Sequence, residues 1–480
     1  MTKPVPRRVS WHTSVVRSIT AMSEGFASER DRPDACPGAL QVHPAADGGL
    51  ARIRVPGGTL STEQLRVLVT AAEELGNSTV ELTSRANLQL RGVEFPEELG
   101  RRIGAVGLLP SLTHERVRNI VASPGAGLDD PGWLPVQRVV RELDRGICST
   151  PRLAELSGRF LFTVDDGSGD VSRLRGDVGL LPLDGETVAV LLGGNDSGAR
   201  VRPAEAAETA VLAAEEFLAE RDRQGGGVWR VAELDTTGNL ADTLRARSGR
   251  AGGTVVEVTP PFGVRRDQQE KPSVGVLTRT GGEVALGVGA PLGRLSPAQM
   301  HSIIRAAEAA SGAVRLTPWR TAVLPGVREH EHRSWFSELR SCGLIVDPSS
   351  PFNGVTACAG DPGCAKSLAD VHRDAAYSAA RGAAVAPGDL PVHWVGCSRH
   401  CGRPRGPVVE VLAGASGYRV SSGTRDEELI RVDDAGVETV AEAVEHARRP
   451  GSAAPTTGQH DGFGQSRVNS DQDTTNEDDR

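Results

Sequence analysis

The sequence predicts an α+β protein built twice over, as two copies of a unit made of a small module followed by a larger α/β one. Three observations carry this. Leu60–Glu74 (LSTEQLRVLVTAAEE) reappears in the second half of the chain as Leu295–Ala309 (LSPAQMHSIIRAAEA). Val80–Val93 (VELTSRANLQLRGV) reappears at nearly the same offset as Val314–Val327 (VRLTPWRTAVLPGV). Asn119-Ile-Val121 is matched in that same register by Asn353-Gly-Val355, so each copy continues into a second segment. An internal repeat outranks other signals when a fold is read from sequence. Two copies imply a pseudo-two-fold molecule with a site between its halves.

Taken in order, residues 1–33 are polar and aperiodic and are expected to form a flexible leader. Residues 34–112 make the first small module: a strand over Leu50–Val55, a turn at Pro56, a helix behind Ser61, a strand, an Arg-bearing turn at Arg85 and a further strand. Ser61 and its counterpart Ser296 suit the N-cap position, where a hydroxyl accepts from a free helical N–H. Pro297 suits the first turn, where no N–H is needed. Residues 113–260 form the first larger module, which has Ser123-Pro124 where the second copy has Ala357-Cys358. Residues 272–345 repeat the small module, starting with a strand over Glu283–Val288. The run Gly287-Val-Gly289-Ala-Pro-Leu-Gly293 has the wrong spacing for a dinucleotide loop and reads as strand and turn. No built-in NAD domain is expected, so electrons must come from a partner. Residues 346–449 carry the paired cysteines, with a helix expected over Ala365–Arg381, and 450–480 read as a disordered tail by composition.

A net charge of −8 gives no basis for general nucleic-acid binding. No run of about 18 apolar residues exists, and the N-terminal stretch lacks the apolar core of a signal peptide. Seven cysteines are too few for a disulfide scaffold. A reduced, cytoplasmic setting fits. Of 54 basic residues only Lys3, Lys271 and Lys366 are lysines. Genomic base composition accounts for the bias, but its consequence is useful: guanidinium forks suit ligands with many carboxylates.

The cysteine pattern is Cys358-x5-Cys364, then a longer intervening stretch, then Cys397-x3-Cys401. Four thiolates are the usual complement of a [4Fe–4S] cluster. Structural zinc is the competing reading; its paired ligands usually sit about two to four residues apart, which the first arm exceeds. Gly and Pro in the first arm, and Gly396 and Gly402 beside the second, let backbone N–H groups approach sulfur. Cys36, Cys148 and Cys342 are single and read as buried free thiols. His114, His393 and His400 lie near the motifs without the spacing of an iron triad, and each reads as a hydrogen-bonding histidine. Lys366 reads as a surface lysine.

The cysteine arrangement, the duplication and the segment Leu82-Thr-Ser-Arg-Ala-Asn-Leu-Gln-Leu-Arg-Gly92 resemble the sulfite/nitrite reductase superfamily, over residues 36 to 450. The resemblance implies two ferredoxin-like half-domains, two larger modules and a [4Fe–4S] cluster on Cys358, Cys364, Cys397 and Cys401, with Cys401 nearest a siroheme. It also implies that Arg85, Arg116, Arg118 and Asn119 meet tetrapyrrole carboxylates. Arg52, Arg54, Arg91 and Arg159, in the same half, extend that basic set.

One departure bears on activity. Reductases of this superfamily hold their small oxyanion with two polar residues on a Lys-Phe-Lys-like segment. Here the stretch is Gly158-Arg159-Phe160-Leu161-Phe162-Thr163-Val164: Arg159 replaces one cation and Leu161 cannot replace the second. That change, the compact chain and the opening Asp34-Ala-Cys-Pro-Gly-Ala-Leu40 are similar to the precorrin-3B synthase branch of cobalamin biosynthesis. In that branch the tetrapyrrole is substrate: precorrin-3A is hydroxylated at C20 with O2 and a lactone closes from the ring A acetate. A non-haem iron is implied, with electrons from NAD(P)H through an external donor. The alternatives are a siroheme-dependent sulfite or nitrite reductase and a non-catalytic iron–sulfur electron carrier.

Overall fold

The computed structural model describes residues 34–128, 132–247, 273–404, 406–423 and 432–449. The expected leader, the tail and most of the connection between the two copies lie outside the described residues.

Among the described residues there are four five-stranded sheets, in two matching pairs. The first small module contributes β1 (His43–Ala45), β2 (Gly48–Ile53), β3 (Thr59–Ser61), β4 (Val80–Leu82) and β5 (Leu88–Val93). The first larger module contributes β6 (Ile120–Ala122), β7 (Phe162–Val164), β8 (Val178–Pro182), β9 (Val188–Leu192) and β10 (Asn195–Val201). The second copy supplies β11 (Gly275–Thr280), β12 (Glu283–Gly289), β13 (Arg294–Leu295), β14 (Ala313–Leu316) and β15 (Thr321–Arg328). It ends with β16 (Val355–Ala357), β17 (Val392–Val395), β18 (Val408–Ala413), β19 (Tyr418–Gly423) and β20 (Val432–Ala435).

The small modules exchange a strand. Their sheets run β1-β2-β5-β4-β13 and β11-β12-β15-β14-β3, so each ends on a strand from the other copy. Arg294 pairs with Glu81 across one junction, and Ala313 with Ser61 across the other. The helices behind these sheets, Thr62–Leu75 and Pro297–Glu308, start alike: Ser61 and Ser296 accept from the N–H groups of Gln64 and Gln299, whose side chains reach back to close capping boxes. Their buried faces join one core, in which Leu65, Leu68, Ile303 and Ile304 pack with strands of both copies. Each fully buried aliphatic side chain contributes roughly 1.5–3 kcal/mol, and here that energy binds the copies to one another. The duplication extends to backbone conformation. Gly58 and Gly293 have φ of 71° and 76°, and a Cβ would lie 2.3 Å from the Leu316 carbonyl oxygen and 2.6 Å from Arg320 Cδ. Glycine alone suits both constraints.

The larger modules share one topology as well. β6, β7 and β8 are parallel and β9 and β10 antiparallel; β16, β17 and β18 are parallel and β19 and β20 antiparallel. The expected helix over 365–381 is shorter, running Val371–Arg381. Asp370 caps it by accepting from the Arg373 N–H, and the residues before form a turn in which Ser367 Oγ donates to the Ala369 carbonyl. Side chains that satisfy nearby backbone groups compete with helix at such positions. Lys366 sits exposed on this turn.

Candidate functional site

Each cysteine pair sits just beyond the C-terminal end of a parallel strand. Cys358 follows β16 and its N–H donates to the Trp394 carbonyl (2.9 Å) in β17. Cys397 follows β17, and the N–H of Gly396 donates to Cys358 Sγ at 3.2 Å. The turn after Cys364 closes over the second arm, the Leu368 N–H donating to the Gly396 carbonyl (2.8 Å). Glycine is needed at 396, since a Cβ would fall 1.9 Å from Ser367 Oγ. All four thiols face one another: burial pushes the Cys401 thiol up, and Cys358, Cys397 and Cys364 reinforce the shift. Cys401 is the exposed member.

Four thiols offer the donor chemistry of an iron–sulfur cluster as well as of a thiolate metal site. The S···S edge of a zinc tetrahedron is about 3.8 Å, given Zn–S bonds of about 2.3 Å. Among the described residues, the one set of three or more ligand-type side chains whose donor atoms all lie within 4.8 Å of each other is Asp165, Asp166 and Asp170. No three of the sulfurs approach that closely.

The histidines near these motifs, His400 apart, are committed to backbone and hydroxyl groups. His393 bonds Thr356 Oγ1 (2.8 Å) through Nδ1 and the Cys401 carbonyl (3.0 Å) through Nε2. Burial holds its pKa down to about 4, and that of His372, which bonds the Cys358 backbone, down to about 3. His114 likewise uses both ring nitrogens, on Ser111, Thr113 and the Thr150 carbonyl. His400 lies 3.0 Å from Glu410.

Across from the cysteines, the first copy presents cations with few counter-charges. Arg52, Arg54, Arg85 and Arg116 have no carboxylate within ion-pair distance among the described residues. Burial pushes Arg85 down to about 10, and the charges of Arg230 and Arg52 add to the shift. The cations therefore crowd one another. Arg85 donates to the Gly158 carbonyl (3.3 Å) and Arg116 to the Asp34 carbonyl (3.1 Å). Arg159 is exposed and stacks on Trp229, 4.8 Å from the ring centre.

Three expected ligand residues play other parts. Arg118 is buried with its fork on Asp144 (2.7 and 2.8 Å) and a further bond to the Leu108 carbonyl, so nothing remains for a substrate carboxylate. Asn119 is buried too: Nδ2 donates to the Arg116, Gly158 and Phe160 carbonyls and Oδ1 accepts from Asn87, which fixes the 158–160 segment. Arg54 is 2% exposed and lies beneath the basic face, bonded to the Arg116 and Pro37 carbonyls with Nη1 unpartnered. It supplies charge rather than a reachable fork.

Other residues join the site in parts that the sequence reading did not give them. Asp34 accepts from the Gly158 N–H (2.6 Å) and Ser157 Oγ, tying the N-terminal strap to the 158–160 segment. Cys36 lies beside that carboxylate and close to Arg52, Arg54 and Arg85. Arg230, paired with the buried Asp177, is the near neighbour of Arg85. Arg91 and Arg294 reach across to the first cysteine arm, donating to the Gly363 (2.6 Å) and Ala359 (3.2 Å) carbonyls.

The family described as nitrite/sulfite reductase ferredoxin-like half domain matches residues 43–97 and 277–342, the two strand-exchanging modules. Both half domains and the duplicated α+β fold are in place, and the chain is similar over most of its length to oxidoreductases that carry them. Precorrin-3B synthase of Sinorhizobium sp is 24% identical over 432 residues, spanning 85% of this chain and 86% of that one. Ferredoxin–nitrite reductase of Synechococcus elongatus is 25% identical over 389 residues, 74% of each chain. The solved structure of the Mycobacterium tuberculosis NirA protein shares the fold, with a TM-score of 0.62 at 20% identity over 83% of this chain and 80% of that one. Among the described residues, no helix is long and apolar enough to cross a membrane.

Proposed function

We propose that this protein is an O2-dependent tetrapyrrole hydroxylase of the precorrin-3B synthase type. It converts precorrin-3A to precorrin-3B by hydroxylation at C20 and closure of the ring A acetate lactone. One observation carries the choice over a reductase. Leu161 is buried against Val121 and Val171, so packed hydrocarbon occupies the place of the second oxyanion-holding cation. The precorrin-3B synthase relative, aligned along more of the chain than the nitrite reductase, supports the same reading.

The residues present suit a substrate with many carboxylates. Arg85, Arg116 and Arg159 offer forks at or near the surface, while Arg52, whose fork lies on Gln89, and Arg54 and Arg230 add charge beside and behind them. Fixed guanidinium groups orient a polyanion as well as attract it. Cys358, Cys364, Cys397 and Cys401 hold the [4Fe–4S] cluster, which supplies one-electron transfer when bound. The Gly396 N–H donates to the Cys358 sulfur, and His393 keeps the Cys401 backbone in place. One atom of O2 enters the substrate; the other leaves as water, using two electrons and two protons that an external donor fed by NAD(P)H provides. A non-haem iron belongs to this reading without assigned ligands.

The test begins with absorption, iron and acid-labile sulfide on protein purified without oxygen, followed by precorrin-3A and O2 with mass analysis of the product. Iron, sulfide and a hydroxylated lactone product are expected. Siroheme bands together with nitrite or sulfite reduction would move the chain to the reductase reading, which the nitrite reductase relative and the retained cation at Arg159 favour. Zinc without labile sulfide would overturn the cluster.

A further inference from the structure

The first cysteine arm is gripped from the opposite copy of the repeat by a charge pair. Arg91, on β5, is 4% exposed and lays its fork on Asp47 in the β1–β2 turn (2.7 and 2.8 Å). The same Nη2 donates to the Gly363 carbonyl at 2.6 Å, immediately before Cys364. Gly363 admits this approach: a Cβ would stand 3.0 Å from Arg91 Nη2 and 3.3 Å from Asp47 Oδ2.

The duplication separates this contact from ordinary loop support. Arg294 donates to the Ala359 carbonyl, and in the other half Arg315 donates to the Pro124 and Ala126 carbonyls of the cysteine-free arm. Arginine support of the arm therefore exists with or without cysteines. Neither Arg294 nor Arg315 has an arginine at its repeat counterpart, Thr59 and Glu81, and Arg91 has none either. Its repeat counterpart is Pro325, and the turn matching that of Asp47 is Gly281–Gly282. Among the described residues, the positions of this ion pair are filled in the copy that faces the cysteine arm and not at their repeat counterparts.

We propose that Arg91 and Asp47 are positioning residues that set the reduction potential of the group held by Cys358, Cys364, Cys397 and Cys401; this rests on the cluster reading above. Reduction adds one negative charge to that group. A guanidinium fixed one carbonyl away stabilises the reduced form, and in a buried place its effect is little screened by water or salt. Asp47 orients the fork and offsets part of its charge. Removal of each partner should then move the potential in opposite directions, whereas a neutral clamp has no sign.

The experiment is a redox titration, followed by electron paramagnetic resonance, of anaerobically purified wild-type protein, Arg91→Gln, Arg91→Lys and Asp47→Asn, with iron and labile sulfide measured on each. Arg91→Gln should lower the potential, shifting the reduced-to-oxidised ratio at the wild-type midpoint about tenfold, or about 59 mV for one electron. Asp47→Asn should raise it, and Arg91→Lys should stay near wild type. If Arg91→Gln loses its iron, the direction of the Asp47→Asn shift decides. Shifts of the same sign, or none, in iron-loaded variants overturn the proposal while leaving the cluster standing. A wild-type protein without iron and sulfide overturns the cluster reading itself, and this inference with it.

Discussion

Replacing Arg54 by Met should make the unliganded protein more stable while weakening its hold on a polycarboxylate. Arg54 is a buried cation without a carboxylate partner, and burial pushes its pKa down to about 9 from an ordinary 12.5. A tenfold change in proton affinity is worth about 1.4 kcal/mol, so holding the charge there costs roughly 5 kcal/mol. Its bonds to the Arg116 and Pro37 carbonyls (3.0 and 3.4 Å), one well formed and one long, return roughly 3 kcal/mol together. Methionine follows the same path through the protein without a charge. The net expectation is a gain of about 2 kcal/mol, visible as a rise of a few degrees in thermal melting. The rise in melting temperature that a tetrapyrrole polycarboxylate produces should shrink, because charge beneath the basic face is gone. Thermal melts with and without uroporphyrin as the probe measure both effects. A variant that melts lower than wild type and keeps its full ligand-induced rise would refute the reasoning, and Arg54 would be an ordinary structural arginine.

Arg118 should behave in the opposite way. Asp144→Ala leaves its buried guanidinium without a partner and should cost roughly 3–5 kcal/mol, read as a lower melting temperature with no selective effect on ligand binding. A pH dependence follows from Asp170, whose carboxyl is pushed up to about 7 by burial and by the neighbouring Asp165, against an ordinary 3.8. The folded state holds this proton more tightly than the unfolded one, so its contribution to stability is full below about pH 4 and declines as pH rises to about 7. The melting difference between Asp170→Asn and wild type should grow in the variant's favour across that window; a difference constant with pH would refute it.

Much of the frame was legible because local chemistry specifies it. Ser61 and Ser296 head their helices because a hydroxyl followed by glutamine three residues later can close a capping box wherever it occurs. The cysteine arms were legible as a set because four thiols in a glycine-rich setting have few other uses. What failed to show was the partner of each charge. Arg116 and Arg118 look alike in sequence, yet Asp144, on the helix that follows, takes the second fork and leaves the first without a carboxylate. Arg54 sits two residues after Arg52, but the strand ends at Ile53 and the chain turns its side chain under the face. The strand exchange was hidden for a related reason. β3 and β13 are very short, and the strands they pair with lie in the other copy of the repeat, far away along the chain. Segments this short take their conformation from the sheet they join.

That exchange explains how the cysteine arms of one half and the cations of the other are held in a fixed relation. β13 pairs with β4, which sets Arg294 beside Glu81 at 2.9 Å and within reach of the Ala359 carbonyl. β3 pairs with β14, which carries Arg315 to the carbonyls of the cysteine-free arm. Because each sheet is completed by the other copy, neither small module can shift without disturbing an arm in a larger one. The basic face formed by Arg52, Arg85 and Arg116 is thereby held in fixed relation to Cys358 and Cys364, although the two belong to different copies. Once the fold guarantees this relation, four cysteines in one arm pair and a field of arginines on the opposite sheet suffice to divide the labour. The charge pair Arg91–Asp47 lies on the line between them, bonded to the backbone of the cysteine arm and to the sheet that carries the cations.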